Sequence, residues 1–266
     1  MYSKQELIKQ LKALNAPQNS LVTVHTSLRA VGETEGRGEG VLEALIEYFT
    51  ADGGILTVPT HTWKNLARAS KQEPTLEESS SETSIGTLPS IAAVHPMARR
   101  SLHPTHSQAV FGKERDAVDA IARRDDAATT STDPKGIYGA LYEQNGYVLL
   151  LGVGHESNTY LHCVEELLNV PGRLTDYFVP TRVRLKDNSV ILHPIRHHLG
   201  HPSFHYPKLE AAFRYHGAIK YGQFGNAKVQ LCNCRKMYEI VKLIYSRSNG
   251  IELMNDDEPL NESLYK

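Results

Sequence analysis

The sequence predicts an α/β fold, with a central mixed or parallel sheet flanked by helices and a smaller β-containing lobe. Three observations carry that expectation. Short apolar runs rich in β-branched residues, at 20–25, 55–59 and 147–151, alternate with amphipathic helical patterns, the order that builds a parallel sheet through right-handed crossovers. Glycine, threonine and histidine follow these runs, so chemistry sits at strand carboxyl ends, where open α/β sheets bind ligands. Residues 179–185 and 190–192 alternate about Asp187-Asn188 and read as a hairpin on a second lobe. At 266 residues the expectation is a single domain over 1–266, with the lobe inserted at about 173–215.

Taken in order, residues 3–14 place Leu7, Ile8, Leu11 and Leu14 on one helical face, with Ser3 as cap. Strand 20–25 runs into the small-residue turn 26–32, whose hydroxyls and backbone donors suit phosphate or amide groups of a ligand as well as an ordinary strand-to-helix loop. Residues 36–40 read as a flexible connection and 41–49 as a helix. Strand 55–59 delivers Thr60, His61, Thr62 and Trp63. The polar stretch 64–84 reads as a long surface loop, either merely solvated or a negative rim for a cationic substrate. A short helix at 85–94 precedes the loop 99–107 and strand 108–111. Helices at 113–124 and 137–144 bracket a loop. Residues 227–231 form a strand and 234–246 the last helix, with an acidic tail from Asn249 that extends over the surface or onto a neighbour.

Acidic and basic side chains nearly cancel, at a formal net charge of −1, so nothing global points to nucleic acid or a membrane surface. No stretch approaches the roughly 20 apolar residues of a membrane span, and the polar amino terminus is unlike a signal peptide. Cys163, Cys232 and Cys234 cannot make a disulfide framework, which suggests free thiols and a cytoplasmic setting. P-loop, dinucleotide-binding and nucleophile-elbow motifs are missing.

The centre of the chain is 146–166. Strand 147–151 ends in Gly152 and Gly154, which let the backbone turn sharply, and Ser157 or Asn158 is placed to cap the next helix. On that helix His162 and Glu165 are three apart and share a face, so a base and a carboxylate reach the strand end. Residue type alone reads His162 as a core histidine. Residues 193–205 hold five histidines, with His197, His201 and His205 at intervals of four, which invites a metal. Gly200 and Pro202 break the helix that would align them, and no cysteine or carboxylate stands at ligand spacing, so no metal site is expected.

Assembled, these segments resemble the aminoglycoside 3-N-acetyltransferase family. The motifs are Val24-His-Thr-Ser-Leu-Arg-Ala-Val-Gly32, Leu56-Thr-Val-Pro-Thr-His-Thr-Trp63, Gly86-Thr-Leu-Pro89, Arg100-Ser-Leu-His-Pro-Thr-His-Ser107, Lys135-Gly-Ile-Tyr-Gly139, Asn158-Thr-Tyr-Leu-His-Cys-Val-Glu165 and Gly225-Asn-Ala-Lys-Val-Gln-Leu231. They follow the family order over nearly the whole chain. The resemblance implies acetyl-coenzyme A as donor and a small-molecule amine as acceptor, in a monomer or homodimer. His162 becomes the expected general base and Glu165 its orienting or charge-balancing partner. The coenzyme is expected to meet His25, Thr26, Ser27, Leu28, Arg29, Val31 and Gly32, with Thr60, His103, His106 and Ser107 lining the same cleft. Trp63, Glu78 and Glu165 are expected on the acceptor side. The chain departs from the resistance enzymes at 123–134 and at the histidine-rich 196–205, where drug-modifying members tend to carry carboxylates.

Two other readings compete. Cys163 as a nucleophile would give a covalent acyl intermediate, but it lies about 100° around the helix from His162, and a buried inert thiol fits better. A histidine-rich metal-binding protein without enzymatic activity is the reading from a different class.

Overall fold

The computed structural model describes residues 1–248, 250 and 258–266, so part of the expected acidic tail, 249 and 251–257, lies outside the described residues. Helix α1, Lys4–Ala13, opens on a capping box in which Ser3 and Glu6 bond reciprocally. Strand β1, Leu21–Thr26, leads into the single turn α2, Leu28–Val31, and then α3, Arg37–Phe49, and β2, Ile55–Pro59. After these come β3, Leu76–Glu77; α4, Thr87–Ala93; β4, Arg99–Arg100; β5, Gln108–Phe111; α5, Arg115–Ala122; and α6, Ile137–Glu143. The second half holds β6, Tyr147–Leu151; α7, Tyr160–Leu167; β7, Arg182–Arg184; β8, Val190–Leu192; α8, Glu210–Tyr215; β9, Ile219–Phe224; β10, Ala227–Asn233; and α9, Cys234–Arg247.

Seven strands form one mixed sheet in the order β4-β5-β2-β1-β6-β10-β9. β1 pairs in parallel with β2 and with β6, while β5 and β10 flank this trio antiparallel. The carboxyl ends of β1, β2 and β6 therefore open on one edge. Both faces are covered, which accounts for the unbroken apolar run of β6. Leu149 and Leu151 face the layer of α1 and α3, whereas Val148 and Leu150 face α6, α7 and α9. Each such buried leucine contributes about 1.5–3 kcal/mol. The smaller sheet, β3-β7-β8, carries the expected hairpin, which turns at Asn188, and takes its third strand from residues 76–77. Among the described residues no helix is long and apolar enough to cross a membrane.

Three expectations change, and two elements were not anticipated. Residues 37–40 are not a connection but the first turn of α3, because Gly38 and Gly40 let it pack closely. A Cβ on Gly40 would lie 1.8 Å from the Glu35 carbonyl oxygen. The stretch 64–84 is not a bare loop. It contains a 3₁₀ helix, Trp63–Lys71, and then β3, whose Leu76 is buried opposite Val183. Neither Ser157 nor Asn158 caps α7 through its side chain: Thr159 holds the cap position without a side-chain bond, and Asn158 Nδ2 instead lies 3.1 Å from His155 Nδ1. β9 and α8 carry no sequence signal used above, because an edge strand whose four central residues are exposed shows no apolar alternation.

Gly40→Ala is expected to lose about 1–3 kcal/mol by overpacking, read as a melting temperature several degrees lower. An unchanged melting curve would show that Glu35 moves aside freely.

Candidate active site

A cleft of about 440 Å³ opens at the shared strand edge. His25 and Thr26 of β1, Pro59 of β2, His61 and Val153 form its floor, and His162 of α7 and residues 197–203 of the lobe form walls. Trp63, Leu66, Ile85 and Pro89 line it as well. Parallel strands ending together are what bring these distant residues to one place.

His162 and Glu165 lie on the same face of α7, as the spacing predicts, yet they do not bond directly. Glu165 Oε2 is 3.7 Å from His162 Nδ1, too long for a hydrogen bond. Tyr206 bridges them: its hydroxyl donates to Glu165 Oε2 at 3.0 Å and lies 2.8 Å from His162 Nδ1. A phenol has one proton to give, so with that proton on Glu165 it accepts from His162 Nδ1–H, which leaves the Nε2 lone pair free as a base. Arg173 Nε sits 2.9 Å from the other oxygen, Glu165 Oε1. Burial, then the neighbouring His198, lowers the His162 pKa to about 4 against the opposing pull of Glu165, so the resting imidazole is neutral. Burial and the Glu165 carboxylate raise Tyr206 well above the usual phenol range, keeping it a donor.

More imidazoles surround this pair. His198 stacks on His162 with ring centres 4.3 Å apart and planes at 18°. His106 packs 4.4 Å from His61, whose Nε2 meets the Tyr138 hydroxyl at 3.0 Å. Burial comes first in lowering His61 and His106, followed by their histidine neighbours. His197 and His201 also line the cleft, whereas Glu156 is the one carboxylate there among the described residues.

The structure sorts the expected site residues. His25, Thr26, Trp63, His106 and His162 line the cleft; His25 Nε2 and Thr26 Oγ1 are buried without a partner, as donors or acceptors kept for a ligand would be. His103, Thr60 and Ser107 lie behind it. His103 Nδ1 accepts from the amides of Thr105 and His106, and Ser107 Oγ donates to the Thr60 carbonyl at 3.1 Å. They shape the loop rather than face the cavity. Glu78 is not delivered to the acceptor side: it is buried against Arg99 at 3.3 Å and accepts from the Lys186 amide. Glu165 sits behind His162 and does not line the cleft. Val31 is core, Ser27 caps α2, and Leu28 and Arg29 are its first residues, whose amides have no intrahelical acceptor. The turn 26–32 is braced by Gly225 and Asn226. The Asn226 amide donates to the Val31 carbonyl at 2.9 Å, and Gly225, at φ 59°, would place a Cβ 2.4 Å from that oxygen.

Cys163 is fully buried, and burial raises its thiol well above the ordinary range, which leaves it inert. His197, His201 and His205 do not converge: among the described residues no three histidine, cysteine or carboxylate side chains are placed to hold a metal. Tyr206 and Arg173 escaped the sequence reading, for they reach Glu165 only through the fold.

An imidazole, a phenol and a carboxylate are thus bonded in series beneath a strand-end cleft, an arrangement able to take up a proton at the open imidazole nitrogen. The family model for aminoglycoside 3-N-acetyltransferase matches residues 23–245, and the chain belongs to that family. Aminoglycoside N(3)-acetyltransferase IV of Salmonella sp is 32% identical over 171 residues, 64% of this chain and 61% of its own. The chain spans less than two-thirds of the length of that relative and of the YokD protein of Bacillus subtilis. A mutant of AAC(3)-IVa solved with a gentamicin superimposes with a TM-score of 0.75 at 23% identity, covering 93% of this chain and 90% of the other. AAC-IIIb in a binary complex with CoASH gives 0.73 at 17% identity, covering 92% and 97%.

Tyr206→Phe removes the bridge and leaves His162 and Glu165 without it. The expected result is a stability loss of about 1–3 kcal/mol in denaturant unfolding, an outcome that a merely packed ring would not give.

Acid should also unfold the protein. Burial lowers His25, His103, His155 and His162 to about 4, against an unfolded value near 6.5. Between these pH values the unfolded chain binds more protons, so stability is full above about 6.5 and is lost as pH falls toward 4. Asp125 opposes this: burial raises it to about 7, so its contribution weakens as pH rises from about 4 to 7. Four imidazoles outweigh one carboxyl, and melting temperature should fall steeply below pH 6; a flat profile would refute it.

Proposed function

We propose that this chain transfers an acetyl group from acetyl-coenzyme A to a primary amine of an aminoglycoside or aminoglycoside-like acceptor, directly within a ternary complex. The observation that carries the reading is the Glu165–Tyr206–His162 relay, which leaves a neutral imidazole nitrogen at the strand-end cleft. An amine attacks a thioester only after losing a proton, and Nε2 of His162 receives one as the carbon–nitrogen bond forms. The imidazolium is then supported through Tyr206 by Glu165. Thr26 Oγ1, buried and without a partner, suits the oxyanion that develops on the thioester carbonyl. The braced turn at Thr26 to Gly32 fits the pantetheine and pyrophosphate of the coenzyme, in keeping with the CoASH bound by a neighbour of the same fold. The proton on His162 passes to the departing thiolate.

The acceptor has a second reading within the same chemistry. Among the described residues seven histidines and one carboxylate line the cleft, whereas burying several ammonium groups with so few carboxylates costs several kcal/mol apiece. A less cationic amine fits that lining better than a polycationic antibiotic. An acceptor panel of aminoglycosides and simple amines separates the two.

Coenzyme A or acetyl-coenzyme A at a hundredfold excess over Kd should stabilise the protein by about 2.7 kcal/mol in a thermal-shift assay; no shift with either removes the transferase reading. His162→Ala is expected to lose about 10²–10⁴-fold in turnover, with Cys163→Ala fully active. The reverse pattern would install a covalent route.

A further inference from the structure

We propose that His198, backed by Glu166, is a second base of the reaction, taking the first proton from the acceptor's ammonium group while His162 takes the second. The inference rests on the transferase reading and follows from counting protons. A primary alkylamine enters as an ammonium ion. To become an amide nitrogen it sheds two protons: one before attack, to free the lone pair, and one as the carbon–nitrogen bond forms. The carbon–sulfur bond breaks and its electron pair leaves as thiolate, which takes one of those protons. The other must leave the cleft. A single imidazole nitrogen holds one proton at a time, so His162 alone would have to empty between the two events.

His198 is built for the first. It lines the cleft beside His162, with the two rings stacked at 4.3 Å, and stands on the lobe wall facing the strand ends. Its Nε2 lies 3.0 Å from Glu166 Oε1 and 3.1 Å from Thr132 Oγ1. Thr132 also donates to Glu166 Oε1 at 2.6 Å, and Thr130 donates to Oε2. Burial works against charge on Glu166, but its bonds to His198, Thr130 and Thr132 hold the carboxyl below its ordinary range. An ionised carboxylate accepts only, so Nε2 of His198 carries hydrogen and Nδ1 is its open nitrogen. Consecutive carboxylates of α7, about 100° apart around the helix, thus serve consecutive roles: Glu165 through Tyr206 for His162, Glu166 directly for His198. His106, 6.2 Å away, is the other imidazole facing the His198 ring.

There is also a way out. Glu166 lines a second cavity of about 390 Å³ together with Asp133, Asn169, Arg173 and Arg196. Glu166 therefore borders both the imidazole of the cleft and a separate cavity, and a proton taken by His198 has a carboxylate to follow away from the thioester. A general positioning role for His198, holding the His162 ring by stacking, makes a different prediction from this one.

The test uses purified full-length protein, acetyl-coenzyme A and two small acceptors at pH 7: an ordinary alkylamine, which is protonated, and a fluorinated alkylamine of low basicity, which is not. His198→Gln should lower kcat/KM for the ordinary amine by about 10²–10⁴-fold, and by at least about tenfold less for the weakly basic one, which arrives without its first proton. His162→Gln should lower both alike. Equal losses on the two amines in His198→Gln, or no loss on either, would overturn the second-base role. Should His198→Gln melt below the assay temperature, Glu166→Gln reads the same split through loss of the carboxylate. If wild-type protein acetylates neither these amines nor any aminoglycoside, the transferase reading itself has failed; wild-type turnover with parallel losses sinks only the present inference.

Discussion

A carboxylate buried to 1% exposure, Glu165, is the interaction on which the site depends. Its oxygens are reached from two sides: by Arg173, where the chain leaves α7, and by Tyr206, just before α8. A charge in that position is costly unless it is both paired and hydrogen-bonded, so the lobe closes over α7 or the carboxylate is stranded. The same contacts that make Glu165 tolerable also fix the ring orientation of His162. Docking of these segments on α7 and orientation of the His162 ring are therefore linked through one carboxylate.

The second theme is neutrality. Imidazoles crowd the strand ends, and burial keeps several of them uncharged. Mutual repulsion would otherwise splay a cluster in which rings approach within 4.3–6.2 Å. Uncharged imidazoles pack as flat, weakly polar plates, and each retains one donor and one acceptor. Glu165 and Glu166 sit behind the histidines and not in the cleft, where Glu156 is the one carboxylate among the described residues. This arrangement polarises the lining without filling it with charge.

How much of this was legible before the fold was known differs by residue. The strands of the core and the helix bearing His162 follow from apolar periodicity and glycine punctuation, both local signals. The motif order led to the family, and His25, Thr26, Trp63, His106 and His162 do meet in one cleft. Tyr206 lies 41 residues from Glu165 in a 3₁₀ segment that contains Pro207, and no spacing rule connects them. Glu78 misled for the complementary reason: a glutamate in a polar stretch looks solvated until β3 pairs with β7 and folds it against Arg99. His103 and Ser107 share a motif with His106, yet chain direction turns them away from the cavity. Side-chain type is written in the sequence, whereas side-chain facing is decided by register and by what packs behind.

The brace behind the turn at Thr26 to Gly32 has a consequence for the order of events in synthesis. Tyr2 bonds Asn226 across 224 positions, Gln10 bonds the Gly225 amide across 215, and Asn226 in turn holds Val31. Contacts of such separation carry a large closure entropy and form late. A chain emerging from the ribosome has long since made its histidines and its parallel strands before residue 226 appears. Until then the turn lacks its support, and the strand-end cleft of a half-made protein stands open on one side.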